Sequence, residues 1–101
     1  MTIQITQNTN EALVVMEGSL DTLAVEQAEE KVKELEALAA SMPLVVDCTN
    51  LSYISSSGLR LLLRLRKAAC VSNNKVKLLN VNSNIMEILQ ITHFDKMFII
   101  E

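Results

Sequence analysis

The sequence predicts an α/β fold: one domain over residues 1–101 with a mixed, mostly parallel sheet, an N-terminal β-hairpin and about three helices. The chain has 101 residues, close to the commonest size for a domain with one hydrophobic core. Hydrophobic residues make up 50% of it and charged residues 21%, a balance typical of globular proteins. Short apolar segments alternate with longer segments of helical periodicity, which predicts strands connected by helices.

The N-terminal region predicts the hairpin. Ile3 and Ile5 alternate with polar residues, and an apolar, partly β-branched run over residues 12–16 follows a polar turn over residues 7–11. The segment Gly18-Ser19-Leu20-Asp21-Thr22 predicts a break after this second strand.

Helical periodicity marks three later segments. Residues 23–40 carry apolar side chains every three or four positions, and Asp21 or Thr22 is placed to cap that helix. A second amphipathic helix begins within residues 55–58 and runs to about Val71, and a third covers about residues 85–91.

Further strands are predicted between and after these helices. Their segments are short and apolar: residues 44–46, 76–79 and 98–100. Residues 47–54 predict a loop. Strands separated by helices imply right-handed crossovers and parallel neighbours.

Composition and charge exclude several classes of function. The net charge is −3 and only three residues are aromatic, so neither a basic surface nor a set of stacking platforms for nucleic acid is expected. No apolar run reaches the length of a membrane helix, and the N-terminus lacks a signal-peptide pattern, which predicts a cytoplasmic protein. Cys48 and Cys70 lie 22 positions apart without metal-ligand spacing, so we expect two buried thiols, no metal and no cofactor.

The segment from Asp47 to Leu59 is the most informative part of the sequence. It leaves a buried strand and enters a helix through three serines and a glycine. In parallel sheets, function concentrates at such turns beyond the carboxyl ends of strands. The start of a helix also favours anions, because its first N–H groups are unpaired and its dipole is positive there.

A helical wheel of 100° per residue separates the three serines. Ser56 shares an exposed stripe with Arg60, Leu63 and Lys67, and Ser57 lies at its border. Ser55 is placed to cap the helix with its hydroxyl. From residue types alone, three serines could also be nothing more than a helix start, so both interpretations stay open at this point.

These residues resemble the STAS-domain anti-sigma-factor antagonists of bacteria. That family opens a helix with Asp-Ser-Ser-Gly-Leu or Asp-Ser-Thr-Gly-Leu, which Ser55-Ser56-Ser57-Gly58-Leu59 matches except that Ser55 replaces the Asp. Gly18-Ser19-Leu20-Asp21 is similar to the family's Gly-x-Leu-Asp turn, and Asp47 to its acidic position at a strand end. Many members carry a further C-terminal helix, whereas this sequence ends at Glu101.

The resemblance implies a partner switch. The serine after the family's Asp is the phosphorylation site, which corresponds to Ser56, with Ser57 as the alternative. The implied partners are an anti-sigma factor that is also a serine kinase and a serine phosphatase that resets the switch. The unmodified form would bind the kinase and free a sigma factor. Together with the wheel, this predicts docking contacts at Asp21, Ser55, Ser56, Ser57, Arg60, Leu63 and Arg64.

Other functions compete with this interpretation. Stand-alone STAS proteins also serve, without phosphorylation, as subunits of lipid-transport ABC complexes or stress-signalling assemblies. A serine hydrolase would need His93 near Ser56 or Ser57, and the sequence lacks a Gly-x-Ser-x-Gly elbow. Nucleotide binding is disfavoured because neither a Walker loop nor a Gly-x-Gly-x-x-Gly segment occurs.

Overall fold

A computed structural model describes residues 1–101 and contains one five-stranded sheet in the order β1-β2-β3-β4-β5. β1 and β2 are antiparallel, and all other neighbours are parallel, which confirms the predicted fold class. The strands are β1 (Thr2–Gln7), β2 (Ala12–Leu20), β3 (Leu44–Ile54), β4 (Val76–Leu79) and β5 (Ile99–Ile100).

Four helices connect the parallel strands: α1 (Thr22–Gln27), α2 (Glu29–Ser41), α3 (Ser56–Cys70) and α4 (Ser83–Ile91), with a short 3-10 turn at Phe94–Lys96. Because the strand order follows the chain and crossovers are right-handed, the helices lie on one face of the sheet. Side chains on that face of β2, such as Val14 and Met16, are fully buried, whereas Leu13 on the opposite face is 39% exposed.

The long first helix predicted from residue 23 to 40 is interrupted. Ala28, at φ −99° and ψ 12°, separates α1 from α2. The predicted apolar seam nevertheless faces the core, because Ala24, Val32, Leu35 and Ala39 are all buried. Asp21 caps α1 as expected.

Two predictions about strand ends are wrong. β2 does not break at Gly18 but continues to Leu20, and residues 47–54 belong to β3 rather than to a loop. The pairing of β2 with β3 shifts register on both sides of Glu17 and Gly18, and Gly18 has φ 103°, a value that favours glycine. These irregularities disturb the two-residue alternation, so the pattern no longer indicates a strand.

The two cysteines differ in environment. Cys48 is buried, and burial raises the pKa of its thiol to about 12, so it is an inert core residue. Cys70, at the end of α3, is exposed, so the prediction of two buried thiols holds only for Cys48.

Gly58 allows the first turn of α3 to lie directly against the end of β2. A Cβ atom at this position would lie 2.6 Å from the Leu20 carbonyl oxygen and 2.8 Å from Cγ1 of Ile54. The first of these atoms is backbone and cannot rotate away. A glycine in the Ser-Ser-Gly segment is therefore a packing requirement that sets where α3 begins.

Gly58→Ala is predicted to destabilise the protein by about 1–3 kcal/mol through overpacking. Helix propensity alone favours alanine by about 1 kcal/mol, so the sign of the change separates the two effects. Chemical denaturation measures it, with Lys67→Ala on the exposed face of α3 as the control. A Gly58→Ala protein as stable as the wild type would show that the close approach does not constrain the fold.

Candidate functional site

The carboxyl ends of β2 and β3 bring two helix starts together. At the first, Oδ1 of Asp21 accepts a hydrogen bond from the Ala24 N–H at 2.9 Å. At the second, Oγ of Ser55 accepts from the Gly58 N–H at 3.2 Å and donates to the Leu20 carbonyl oxygen, also at 3.2 Å. A hydroxyl can do both, whereas an ionised Asp at this position could only accept. Ser55 therefore caps α3 and also ties it to β2.

The next two serines differ in their contacts. Oγ of Ser57 lies 2.9 Å from Oγ1 of Thr22 and accepts a hydrogen bond from Nη2 of Arg60 at 3.3 Å. Ser57 is half-buried and bridges the starts of α1 and α3. Ser56 is exposed, as the wheel predicts, and its hydroxyl makes no hydrogen bond. A group added to Ser56 would break no existing contact, whereas one added to Ser57 would disrupt this bridge.

The surroundings of Ser56 favour negative charge. Ser56 is the first residue of α3, where backbone N–H groups have no acceptor within the helix and the helix dipole is positive. Arg60 is exposed one turn further on and forms no ion pair with a carboxylate. Its guanidinium remains available to an anion at this helix start.

Arg64 has a different role from Arg60. Its Nη2 lies 3.0 Å from Oε1 of Glu29 and 2.7 Å from Oε1 of Glu36, so it joins α3 to α2. The hydrogen bond from Arg64 holds the pKa of the Glu29 carboxyl below its usual value, and the bonds to Glu29 and then Glu36 raise the pKa of Arg64. As a docking contact Arg64 stays a prediction, with a guanidinium already engaged inside the protein.

The apolar part of this surface differs from the sequence prediction. Leu63, expected on the exposed stripe, is half-buried. Leu23 and Tyr53 are instead 61% and 49% exposed, in the first turn of α1 and near the end of β3. One feature of the sequence indicates that Leu23 is exposed: it lies next to the apolar seam that begins at Ala24 and is not part of it. We call Asp21, Leu23, Tyr53, Ser56 and Arg60 the helix-start surface.

A groove of about 380 Å³ extends this surface between α1 and α3. Thr22, Val25 and Glu26 line one wall, and the other wall is formed by residues of α3: Ser57, Arg60, Leu61 and Arg64. It offers a partner a cation, an anion and hydroxyl groups, rather than a closed cavity for a small molecule.

Asp47 lies apart from this surface. It sits within β3 rather than at its end, and its Oδ1 accepts hydrogen bonds from the backbone and hydroxyl of Thr49 and from Nδ2 of Asn80. These donors, the Thr49 hydroxyl first, hold the pKa of the Asp47 carboxyl below its usual value. The prediction that the central strand ends at Asp47 is therefore wrong, because β3 continues to Ile54, although the pairing of β3 with β4 does end at Asp47.

The geometry does not assemble a catalytic triad. His93 follows α4, which starts at the carboxyl edge of the sheet and returns to the opposite edge, whereas Ser56 and Ser57 lie beyond the carboxyl end of β3. No group of three or more His, Cys, Asp or Glu side chains is arranged to hold a metal ion. None of the helices combines the length and apolar character needed to cross a membrane.

Comparison with known proteins agrees with this architecture. Residues 2–101 match the STAS domain family. The chain belongs to the STAS family. A STAS-domain containing protein of Pseudomonas aeruginosa (strain UCBPP-PA14) is 39% identical over 54 residues, which cover 54% of each protein. The match thus spans about half the length of that relative.

Solved structures of STAS proteins share the fold. An anti-sigma-factor antagonist (STAS) domain protein from Planctomyces limnophilus matches with a TM-score of 0.83 and 21% identity, over 98% of this chain and 87% of that one. The anti-sigma factor antagonist SpoIIAA in its unphosphorylated form gives 0.74 and 23%, over 99% and 87%. The Bacillus cell fate determinant SpoIIAA in its phosphorylated form gives 0.73 and 21%, over 99% and 91%.

Arg64→Met is predicted to lower stability at neutral pH, whereas Arg60→Met leaves it within about 0.5 kcal/mol because Arg60 has no carboxylate partner. The pKa of Glu29 is lowered in the folded state, so the unfolded state binds more protons below the ordinary pKa of 4.5. The contribution of the pair is therefore present above that pH and is lost as the pH falls through the lowered pKa.

Denaturation curves of wild type, Arg64→Met and Arg60→Met over acid to neutral pH measure this effect. The stability difference between wild type and Arg64→Met is expected to shrink on acidification. Equal effects of the two substitutions at neutral pH would contradict the assignment of Arg64 to the joint between α2 and α3.

Proposed function

We propose that this protein is an anti-sigma-factor antagonist controlled by phosphorylation of Ser56. Its unmodified form binds an anti-sigma factor that is also a serine kinase, which releases a sigma factor. Phosphate on Ser56 ends that binding, and a serine phosphatase restores it. The observation that carries the proposal is the exposed, unbonded Ser56 hydroxyl at the start of α3, with Arg60 one turn away.

Membership of the STAS family supports this proposal, as do the fold matches. SpoIIAA is described as an anti-sigma factor antagonist and exists in both an unphosphorylated and a phosphorylated form. At 21–23% identity these matches establish a common fold. The geometry around Ser56 is the reason for proposing the same role and the same modification for this chain.

The physical mechanism acts on the docking surface rather than on the fold. A phosphate adds about −1.5 to −2 charges at neutral pH. At Ser56 it would meet the open N–H groups of the first helical turn and the guanidinium of Arg60, so the folded state tolerates it. A partner that packs on Leu23 and Tyr53 would have to desolvate that charge. A hundredfold loss of affinity requires only about 2.7 kcal/mol, which one unpaired interfacial charge supplies.

Ser55 changes the local charge relative to the family's Asp. A neutral hydroxyl next to Ser56 places no second negative charge beside the phosphate. It also offers no carboxylate to a kinase, so recognition of Ser56 must come from the rest of the helix-start surface.

Incubation with ATP and the serine-kinase anti-sigma factors of the same genome, followed by mass spectrometry, tests the proposal. We expect phosphate on Ser56 and none in Ser56→Ala. Ser83→Ala is the matched control, because Ser83 is likewise an exposed first residue of a helix.

Phosphate on Ser57 instead of Ser56 would overturn the site assignment. A stable complex without phosphate would contradict the switch and favour an unmodified docking subunit, as in a lipid-transport ABC complex or a stress-signalling assembly. Neither phosphate nor a complex with any candidate would contradict the anti-sigma role itself.

A further inference from the structure

The outer edge of β1 is an unprotected pairing surface. Residues 2–7 contain no charged residue and no proline, and their register with β2 is continuous. Proteins normally protect edge strands with charges, prolines, bulges or short length. The opposite edge of the sheet follows this rule, since β5 has two residues and the adjoining Glu101 pairs with Lys77 at 3.6 Å.

The hydrogen bonds of the hairpin define which groups of β1 are open. The Asn8 N–H donates to the Glu11 carbonyl oxygen, so Asn8 points toward β2. Backbone groups alternate in direction along a strand, which turns Thr2, Gln4 and Thr6 toward β2 as well. The N–H and carbonyl groups of Ile3, Ile5 and Gln7 therefore point away from the sheet. They form a row of unpaired donors and acceptors along the edge.

We propose that β1 pairs with β1 of a second copy of this chain, antiparallel about a two-fold axis at Gln4. Ile3 then exchanges hydrogen bonds with Ile5 of the partner subunit, and Ile5 with Ile3 of the partner subunit. Both residues point their backbone groups at the edge, so this register makes them hydrogen-bonded pairs. The two five-stranded sheets become one continuous sheet.

A second copy fits this edge because the edge is its own complement. An uncharged strand meets itself without like-charge repulsion, and a two-fold interface brings the same patch together from both sides. Ile3 and Ile5 lie opposite Met16 and Val14, so their side chains share the helix-covered face, where both are half-buried. Pairing therefore places isoleucine beside isoleucine at two symmetric positions.

The two faces of the strand add to this match. A groove of about 290 Å³ borders β1 between Met1, Ile3, Ala24 and Ala28, so the edge strand is not covered by α1 and α2. On the other face of the sheet, Gln4 is exposed and meets Gln4 of the partner subunit, where the two amides can hydrogen-bond. The one charged side chain that lines the groove, Lys31, is exposed and lies on α2 rather than on the pairing strand.

This surface is separate from the helix-start surface. β1 lies two strands from β3, which is roughly 10 Å across the sheet. The dimer leaves Ser56 accessible in both copies, and the proposal does not rest on phosphorylation.

Sedimentation over a wide range of protein concentration tests the dimer, with Gln4→Lys as the informative variant. Gln4 occupies a non-hydrogen-bonded position in the proposed pairing, where side chains approach most closely. Two lysines there should weaken dimerisation roughly fivefold or more, equivalent to about 1 kcal/mol. An equimolar mixture of Gln4→Lys and Gln4→Glu should restore a dimer containing one of each. Gln90→Lys, the same change at an exposed position of α4, should leave dimerisation unchanged.

Hydrogen exchange gives an independent readout of the register. In the dimer the amides of Ile3 and Ile5 should be protected from exchange, and dilution to the monomer should remove that protection. The Gln4 amide should stay protected at all concentrations by its bond to β2. A monomer at high concentration would overturn the proposal. So would a dimer that Gln4→Lys leaves intact, one that the lysine–glutamate mixture fails to restore, or fast exchange at Ile3 and Ile5 in the dimer.

Discussion

The carbonyl oxygen of Leu20 is the contact on which the geometry of the site depends. It accepts hydrogen bonds from the backbone N–H of Ser55 at 2.9 Å and from the Ser55 hydroxyl at 3.2 Å. The same oxygen lies where a side chain on Gly58 would begin. The end of β2, the end of β3 and the first turn of α3 therefore meet at one atom. A side chain at position 58 would begin within 2.6 Å of this oxygen, so any residue larger than glycine there would move the helix start relative to the sheet.

Three adjacent serines make different contacts at this junction. Ser55 is used to hold the helix start, and Ser57 to join it to α1 through Thr22. Only Ser56 is left with an exposed hydroxyl that makes no internal bond. The two basic residues of α3 divide in the same way, because Arg64 is engaged by Glu29 and Glu36 while Arg60 has no carboxylate partner. The Ser56 hydroxyl and the Arg60 guanidinium are therefore the groups of this surface that remain available to a kinase or a partner protein.

Much of the fold could be predicted from the sequence because it rests on local patterns. The hairpin, the seam of α1 and α2, and the limits of α3 follow from periodicity and capping residues that are close in the chain. The second half of β3 could not be predicted, because its pairing depends on register shifts in β2, a strand distant in sequence. Tyr53, for example, pairs with Ser19, 34 residues earlier in the chain.

In the candidate site, the exposure of side chains could be predicted where it depended on one helix and not where it depended on neighbouring elements. The wheel of α3 separates Ser56 from Ser57 correctly. It misplaces Leu63 because α3 is flanked on both sides, by α2 through Arg64 and by the Met97 carbonyl, which accepts from Arg66. The ion pairs of Arg64 span 35 and 28 residues in sequence, so no local pattern indicates them. The exposure of Tyr53 likewise emerges only from the packing of strands and helices.

The most direct test of the central claim compares Ser56→Asp with Ser83→Asp for folding stability and for affinity to the anti-sigma partner. Both substitutions add one charge to the first residue of an exposed helix start. Both proteins should fold as stably as the wild type, while Ser56→Asp alone loses about a hundredfold in affinity, or about 2.7 kcal/mol. Equal affinity of the two variants, or unfolding of Ser56→Asp alone, would contradict a switch that acts on the surface and leaves the fold unchanged.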